Sequence, residues 1–119
     1  MATIAITATN AATNFDFTAG TLATLNAMSI GAVLNNTVTY TGTITPGAST
    51  YRLGGGGGTL QVNSALTGAG NNLVVGNGTN ANGTVILQNS ANTYGGTTTI
   101  ATGATLQVGT GGTVASMSG

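Results

Sequence analysis

Hydrophobic and polar residues alternate with a period of two along much of the chain, the spacing of a strand with one buried and one solvated face. The clearest case is Thr37-Val38-Thr39-Tyr40-Thr41-Gly42-Thr43-Ile44-Thr45, where every odd position is Thr and Val38, Tyr40 and Ile44 point to the other side. Shorter stretches of the same kind lie at residues 3–6, 14–17, 59–62, 73–75, 84–87, 97–100 and 105–108. Gly and Asn clusters separate them, and both residue types tolerate the positive φ of tight corners. Thr, Asn and Gly are poor helix formers, and no apolar period of 3.6 is sustained. The chain is therefore expected to be all-β.

Internal repetition refines that expectation. Gly57-Gly58-Thr59-Leu60-Gln61-Val62-Asn63-Ser64-Ala65 is echoed by Gly83-Thr84-Val85-Ile86-Leu87-Gln88-Asn89-Ser90-Ala91, and again by Gly103-Ala104-Thr105-Leu106-Gln107-Val108-Gly109. The leading threonines, at 59, 84 and 105, are separated by steps of about 21 to 25 residues. Weaker echoes at Thr37-Val38-Thr39-Tyr40 and Thr3-Ile4-Ala5-Ile6 extend the series toward the N-terminus. Such a step is too long for a hairpin meander and fits one turn of a parallel β-helix. The expected architecture is a single domain over residues 1–119, a β-solenoid of roughly five coils and about 25 Å tall at one strand spacing per coil. Within it, 1–50 is weakly repeated, 51–109 strongly repeated, and 110–119 a terminal strand or tail. Leu60, Val62, Val85, Leu87, Leu106 and Val108 would stack as an aliphatic column. Asn63 and Asn89 would hydrogen-bond from coil to coil at a corner.

Composition changes the picture most by what it removes. The 119 residues hold one basic side chain, Arg52, one acidic side chain, Asp16, and neither His nor Cys. Catalysis by acids, bases or activated nucleophiles needs titratable groups held together. Two such groups 36 positions apart supply no catalytic residues, so an enzyme is not expected. No zinc, iron or calcium ligand set can be assembled, and no cofactor is expected. One Arg is not a basic patch, which argues against nucleic acid. The most apolar window, residues 25–34, is too short to span a bilayer. With 40% hydrophobic residues and zero net charge, the chain does not have the composition of a disordered one.

Residues 83–109 closely resemble the autotransporter-associated β-strand repeat, most specifically in Asn92-Thr93-Tyr94-Gly95-Gly96-Thr97-Thr98. Tyr51-Arg52-Leu53-Gly54-Gly55-Gly56-Gly57-Gly58-Thr59-Leu60 resembles the segment that often precedes it. The resemblance covers about residues 51–109, half of the chain. It implies a right-handed parallel β-helix, exported and displayed at a bacterial cell surface. That family normally occurs in long passengers attached to a translocation barrel, and nothing in these 119 residues corresponds to the barrel.

The expected function is structural: a subunit of an extracellular filament, assembling head to tail as a homopolymer. Thr3, Ile4, Ala5 and Ile6 at one end, and Thr113, Val114, Ala115, Ser116 and Met117 at the other, are the candidate subunit interface, since both segments read as uncapped strands. Asp16 either faces solvent on a strand or forms an ion pair with Arg52, within the chain or across a subunit contact, that would fix register. A fragment of an adhesin passenger with cell-surface or glycan contact is the first alternative, and an ice-binding face built on the Thr row of residues 37–45 the second. Asn35, Asn77 and Asn82 each open an Asn-x-Thr glycosylation sequence. Tyr40, Tyr51 and Tyr94 are expected to fill corners or coil ends rather than present carbohydrate-stacking platforms. Residues 54–58 are expected to form a corner leading into the strand at Thr59.

Overall fold

A computed structural model describes residues 3–25, 27–76 and 83–109. Eleven short strands are described: β1 (Thr3–Ile6), β2 (Phe15–Asp16), β3 (Ser29–Ala32), β4 (Thr37–Tyr40), β5 (Ile44–Thr45), β6 (Thr50–Leu53), β7 (Thr59–Val62), β8 (Asn72–Val75), β9 (Gly83–Leu87), β10 (Thr98–Ile100) and β11 (Ala104–Val108). All the ladders between them are parallel. The first sheet runs β1-β3-β6-β8-β10, the second β4-β7-β9-β11, and a small third pairs β2 with β5. Each sheet thus collects the corresponding strand of successive turns. The chain is a β-solenoid of about four turns, spread over five strand layers of the first sheet.

The register follows the sequence repeat. Thr37 pairs with Thr59, Thr59 with Thr84, and Thr84 with Thr105, so the repeated threonines form one column on the outside of the second sheet. Behind them, Val38, Leu60, Val85 and Leu106 stack as an inner column, followed by Tyr40, Val62, Leu87 and Val108. Leu60, Val62, Val85 and Leu87 are fully buried, whereas Val108, in the last layer, is 45% exposed. In the first sheet the matching column is Ile4, Ile30, Leu53, Val75 and Ile100. Thr3–Ile6 belongs to this first sheet, with Thr3 opposite Ser29, and does not extend the Thr37–Thr59–Thr84–Thr105 series. Similar texture in two faces of one coil accounts for the confusion.

Between Thr37 and Thr45, exposed and buried positions alternate without a break. Gly42 makes the bend that divides β4 from β5, since a β-carbon there would strike the Thr13 carbonyl oxygen. The run at 54–58 is a corner, as expected. Gly54, Gly55, Gly56 and Gly57 all have φ between 77° and 99°, a conformation four consecutive L side chains would not hold. This corner passes so close to β3 that a β-carbon at Gly31 would collide with the Gly55 carbonyl oxygen.

The third side is closed mainly by stacked loops. Tyr94 N and Thr93 N donate to Leu66 O, Gly95 N to Gly68 O and Gly96 N to Asn71 O. The buried Asn92 side chain accepts from Leu66 N at 2.9 Å. Asn89 Nδ2 donates to Asn63 O at 2.9 Å, which realises the coil-to-coil bond expected of that pair. Ser64 Oγ donates to Gly42 O, linking the same corner to the layer before.

Candidate functional site

The described residues contain no group of three or more His, Cys, Asp or Glu side chains placed to hold a metal ion. Asp16 lies on β2 in the small sheet, and Arg52 on β6, in the middle layer of the first sheet. Within the chain they do not form the expected ion pair. The Asp16 carboxylate instead accepts from Thr18 Oγ1 at 2.5 Å and Thr18 N at 2.9 Å. These bonds to the charged form hold the carboxyl below its ordinary pKa. Arg52 Nε is buried and has no hydrogen-bond partner. A local acceptor–donor pair two residues apart satisfies Asp16 more cheaply in chain entropy than a partner on another sheet.

All three tyrosines are internal. Tyr40 and Tyr94 are fully buried and Tyr51 nearly so, which leaves no ring face for a sugar. Each hydroxyl secures the chain from within. Tyr40 donates to Thr13 O at 2.6 Å and, more weakly, to Thr43 O at 3.3 Å, and its burial pushes its pKa up to about 12. Tyr51 donates to Thr67 O and accepts from Thr67 N. Tyr94 and Thr98 share a hydroxyl–hydroxyl bond of 2.8 Å. Tyr40 and Tyr51 sit on strands β4 and β6 and Tyr94 in the loop before β10, so all three rings belong to the core and not to a solvent-facing platform.

The outer face of the second sheet carries one full threonine column, but the next runs Thr39, Gln61, Ile86 and Gln107. An ice-matching plane needs hydroxyls and methyls repeated in two directions, and here the repeat exists in one. Asn35 is exposed at a corner in the left-handed region, with φ 64°. Asn77 and Asn82 lie outside the described residues.

The remaining candidate site is the pair of solenoid ends. At one end, β1 has a partner only on its β3 side among the described strands. The rest of that end differs from the uncapped strand expected there. A 3-10 turn, Ala8–Asn10, begins at Thr7, whose hydroxyl accepts from Thr9 N, and packs against β4. The following Ala11 O accepts from Thr41 N at 2.7 Å and Gly42 N at 3.3 Å, while Asn14 Oδ1 accepts from Thr43 N at 2.8 Å. The turn therefore lies beside β4, and the segment after it is bonded to the residues that follow β4. A second 3-10 turn, Gly20–Thr24, packs against β2. At the other end, β10 and β11 are the last strands described, with Ile100 50% and Val108 45% exposed. Thr113, Val114, Ala115, Ser116 and Met117 lie outside the described residues, so the edge that can be seen there is β10 with β11.

No protein-family model matches the chain, and no curated protein or solved structure shows significant similarity to it. Among the described residues, no helix is long and apolar enough to cross a membrane.

Proposed function

We propose that the chain is a structural subunit of an extracellular bacterial filament, in which β-solenoid units add end to end. The observation that carries this reading is that, among the described residues, the first sheet has strands of the same direction at both of its edges, β1 and β10. A second copy set on β10 continues the parallel ladder without any turn or inversion, a heterologous contact that does not close on itself. Half-exposed Ile100 supplies apolar surface that such a contact removes from water. Zero net charge leaves little repulsion between copies. The resemblance of residues 51–109 to the autotransporter-associated repeat supports export and display at a bacterial surface.

Electron microscopy of the purified chain near neutral pH tests the proposal. Filaments with an axial subunit repeat of about 24 Å, five strand layers at about 4.8 Å each, are the expected outcome. Discrete monomers at high concentration would sink it. They would favour a second reading, a segment of an adhesin passenger that uses a lateral face. The 3-10 turns over β4 and β2 lend that reading support, because atypical turns commonly close one end of a longer solenoid.

A further inference from the structure

Resting on the filament reading, we infer that copies join through the first sheet alone, the β10 edge of one copy adding to the β1 edge of the next. Ile100 then lies over Ile4, and Thr99 over Thr3, extending columns that already run through all five layers. The second sheet cannot make the same join. Opposite its β11 edge, the next copy would present not a strand but the 3-10 turn Ala8–Asn10. A parallel ladder needs an extended partner with evenly spaced donors and acceptors. In that turn Asn10 N and Ala11 N are already bonded to Thr7 O and Ala8 O, and Ala11 O to Thr41 N and Gly42 N. No charge opposes the β10–β1 contact: Arg52 sits in the middle layer and Asp16 in the small sheet.

The full chain carries the test, because it contains no cysteine of its own. Ile100→Lys and Val108→Lys are compared with the parent by electron microscopy and sedimentation, with circular dichroism reporting folding. Both sites are about half exposed, so a lysine stem can lie along the surface with its ammonium in water. Val108→Lys should still form filaments, whereas Ile100→Lys should lower the sedimenting fraction by roughly tenfold or more, as one charge buried in the join costs at least about that factor. Independently, Thr3→Cys with Thr99→Cys should give disulfide-linked ladders under oxidised glutathione, since a strand spacing of about 4.8 Å falls within the Cα range of about 4.4–6.8 Å for a disulfide. If the parent forms filaments but the Thr3–Thr99 cysteine pair does not cross-link, or both lysine variants lose assembly equally, the single-sheet join is wrong and the filament stands. If the parent stays monomeric, the filament reading fails and takes the join with it. Should Ile100→Lys unfold, the cysteine pair decides.

Discussion

Removing one hydroxyl, in Tyr40→Phe, tests whether the tyrosines hold the coils together from inside. The ring is fully buried and packs near Phe15, centroids 6.1 Å apart, so phenylalanine keeps the packing and loses only the O–H. Thr13 O then loses a 2.6 Å bond. Thr43 O loses only a weaker one and keeps its bond from Phe15 N at 2.9 Å. One net hydrogen bond contributes about 1 kcal/mol, and an orphaned carbonyl in a partly buried corner adds up to about as much again, so the expected loss is about 1–2 kcal/mol. In a chain of this length that lowers Tm by roughly 5 °C. Urea unfolding followed by circular dichroism, at concentrations where the midpoint does not vary, measures it. Tyr94→Phe is the control. Its partner is the Thr98 hydroxyl, which is half-buried and can turn to water, so the cost there should be under about 1 kcal/mol. A Tyr40→Phe midpoint equal to the parent's, or a larger loss at Tyr94, would refute the clamp. Alkali provides a second arm. Tyr40 has its folded pKa raised to about 12, above the unfolded value, so its contribution is complete below about pH 10. It is lost as pH rises from there through 12, where the unfolded chain ionises first. Tyr40→Phe should therefore lose less stability than the parent across that window.

Two further outcomes follow from the same contacts. Leu60→Ala empties the middle of the column Val38–Leu60–Val85–Leu106 and should cost about 2–5 kcal/mol, while Thr59→Ala, one residue away on the outer side, should stay within about 0.5 kcal/mol; comparable midpoints in urea for the two variants would contradict the inward–outward assignment. Acid should hardly matter, because Asp16 is the only acidic side chain: its lowered pKa stabilises the fold above about pH 4 and that small contribution disappears as pH falls further, so Asp16→Asn should flatten the remaining slope of Tm between pH 2 and 5, and an unchanged steep slope would count against it.

Much of the solenoid is legible in the sequence because stacking copies the repeat into space. Thr59, Thr84 and Thr105 recur at the coil length, and the register sets them one above another. The alternation of residues 37–45 survives residue by residue. What period alone does not encode is which face a strand occupies. Thr3–Ile6 and Thr37–Tyr40 look alike yet belong to different sheets. Strand β3, Ser29–Ala32, was hidden for a different reason: it is buried on both sides, with the glycine corner drawn across Gly31, so no alternation remains to read. The 3-10 turns at Ala8–Asn10 and Gly20–Thr24 hold too few residues for any period to show. A faint signal existed at Thr7, a hydroxyl residue in N-cap position. Another lay in Asp16-Phe17-Thr18, where an Asp followed two residues later by a donor commonly bonds within its own turn, which leaves Arg52 without it.

The missing charges and the proposed assembly have one physical origin. In a solenoid every outward side chain has a neighbour about 4.8 Å away in the next coil. Two like charges at that distance repel by about 1 kcal/mol in water and several times more beside the protein, and a repeated Lys or Glu would incur that at each step of the column. Thr, Ser and Asn turn the same proximity into bonds: Thr3 with Ser29 at 3.2 Å, Asn72 Oδ1 with Thr97 N at 2.9 Å, Asn89 with Asn63. A sequence suited to stacking coil on coil therefore becomes neutral and rich in small polar groups. At the β10 edge the rule has no reason to stop, because the next coil meets the same spacing and the same neutral columns whether or not the same chain supplies it. Lysines and prolines on edge strands are among the devices that hold other copies away. Thr98, Thr99 and Ile100 at one edge, and Thr3, Ile4, Ala5 and Ile6 at the other, include neither.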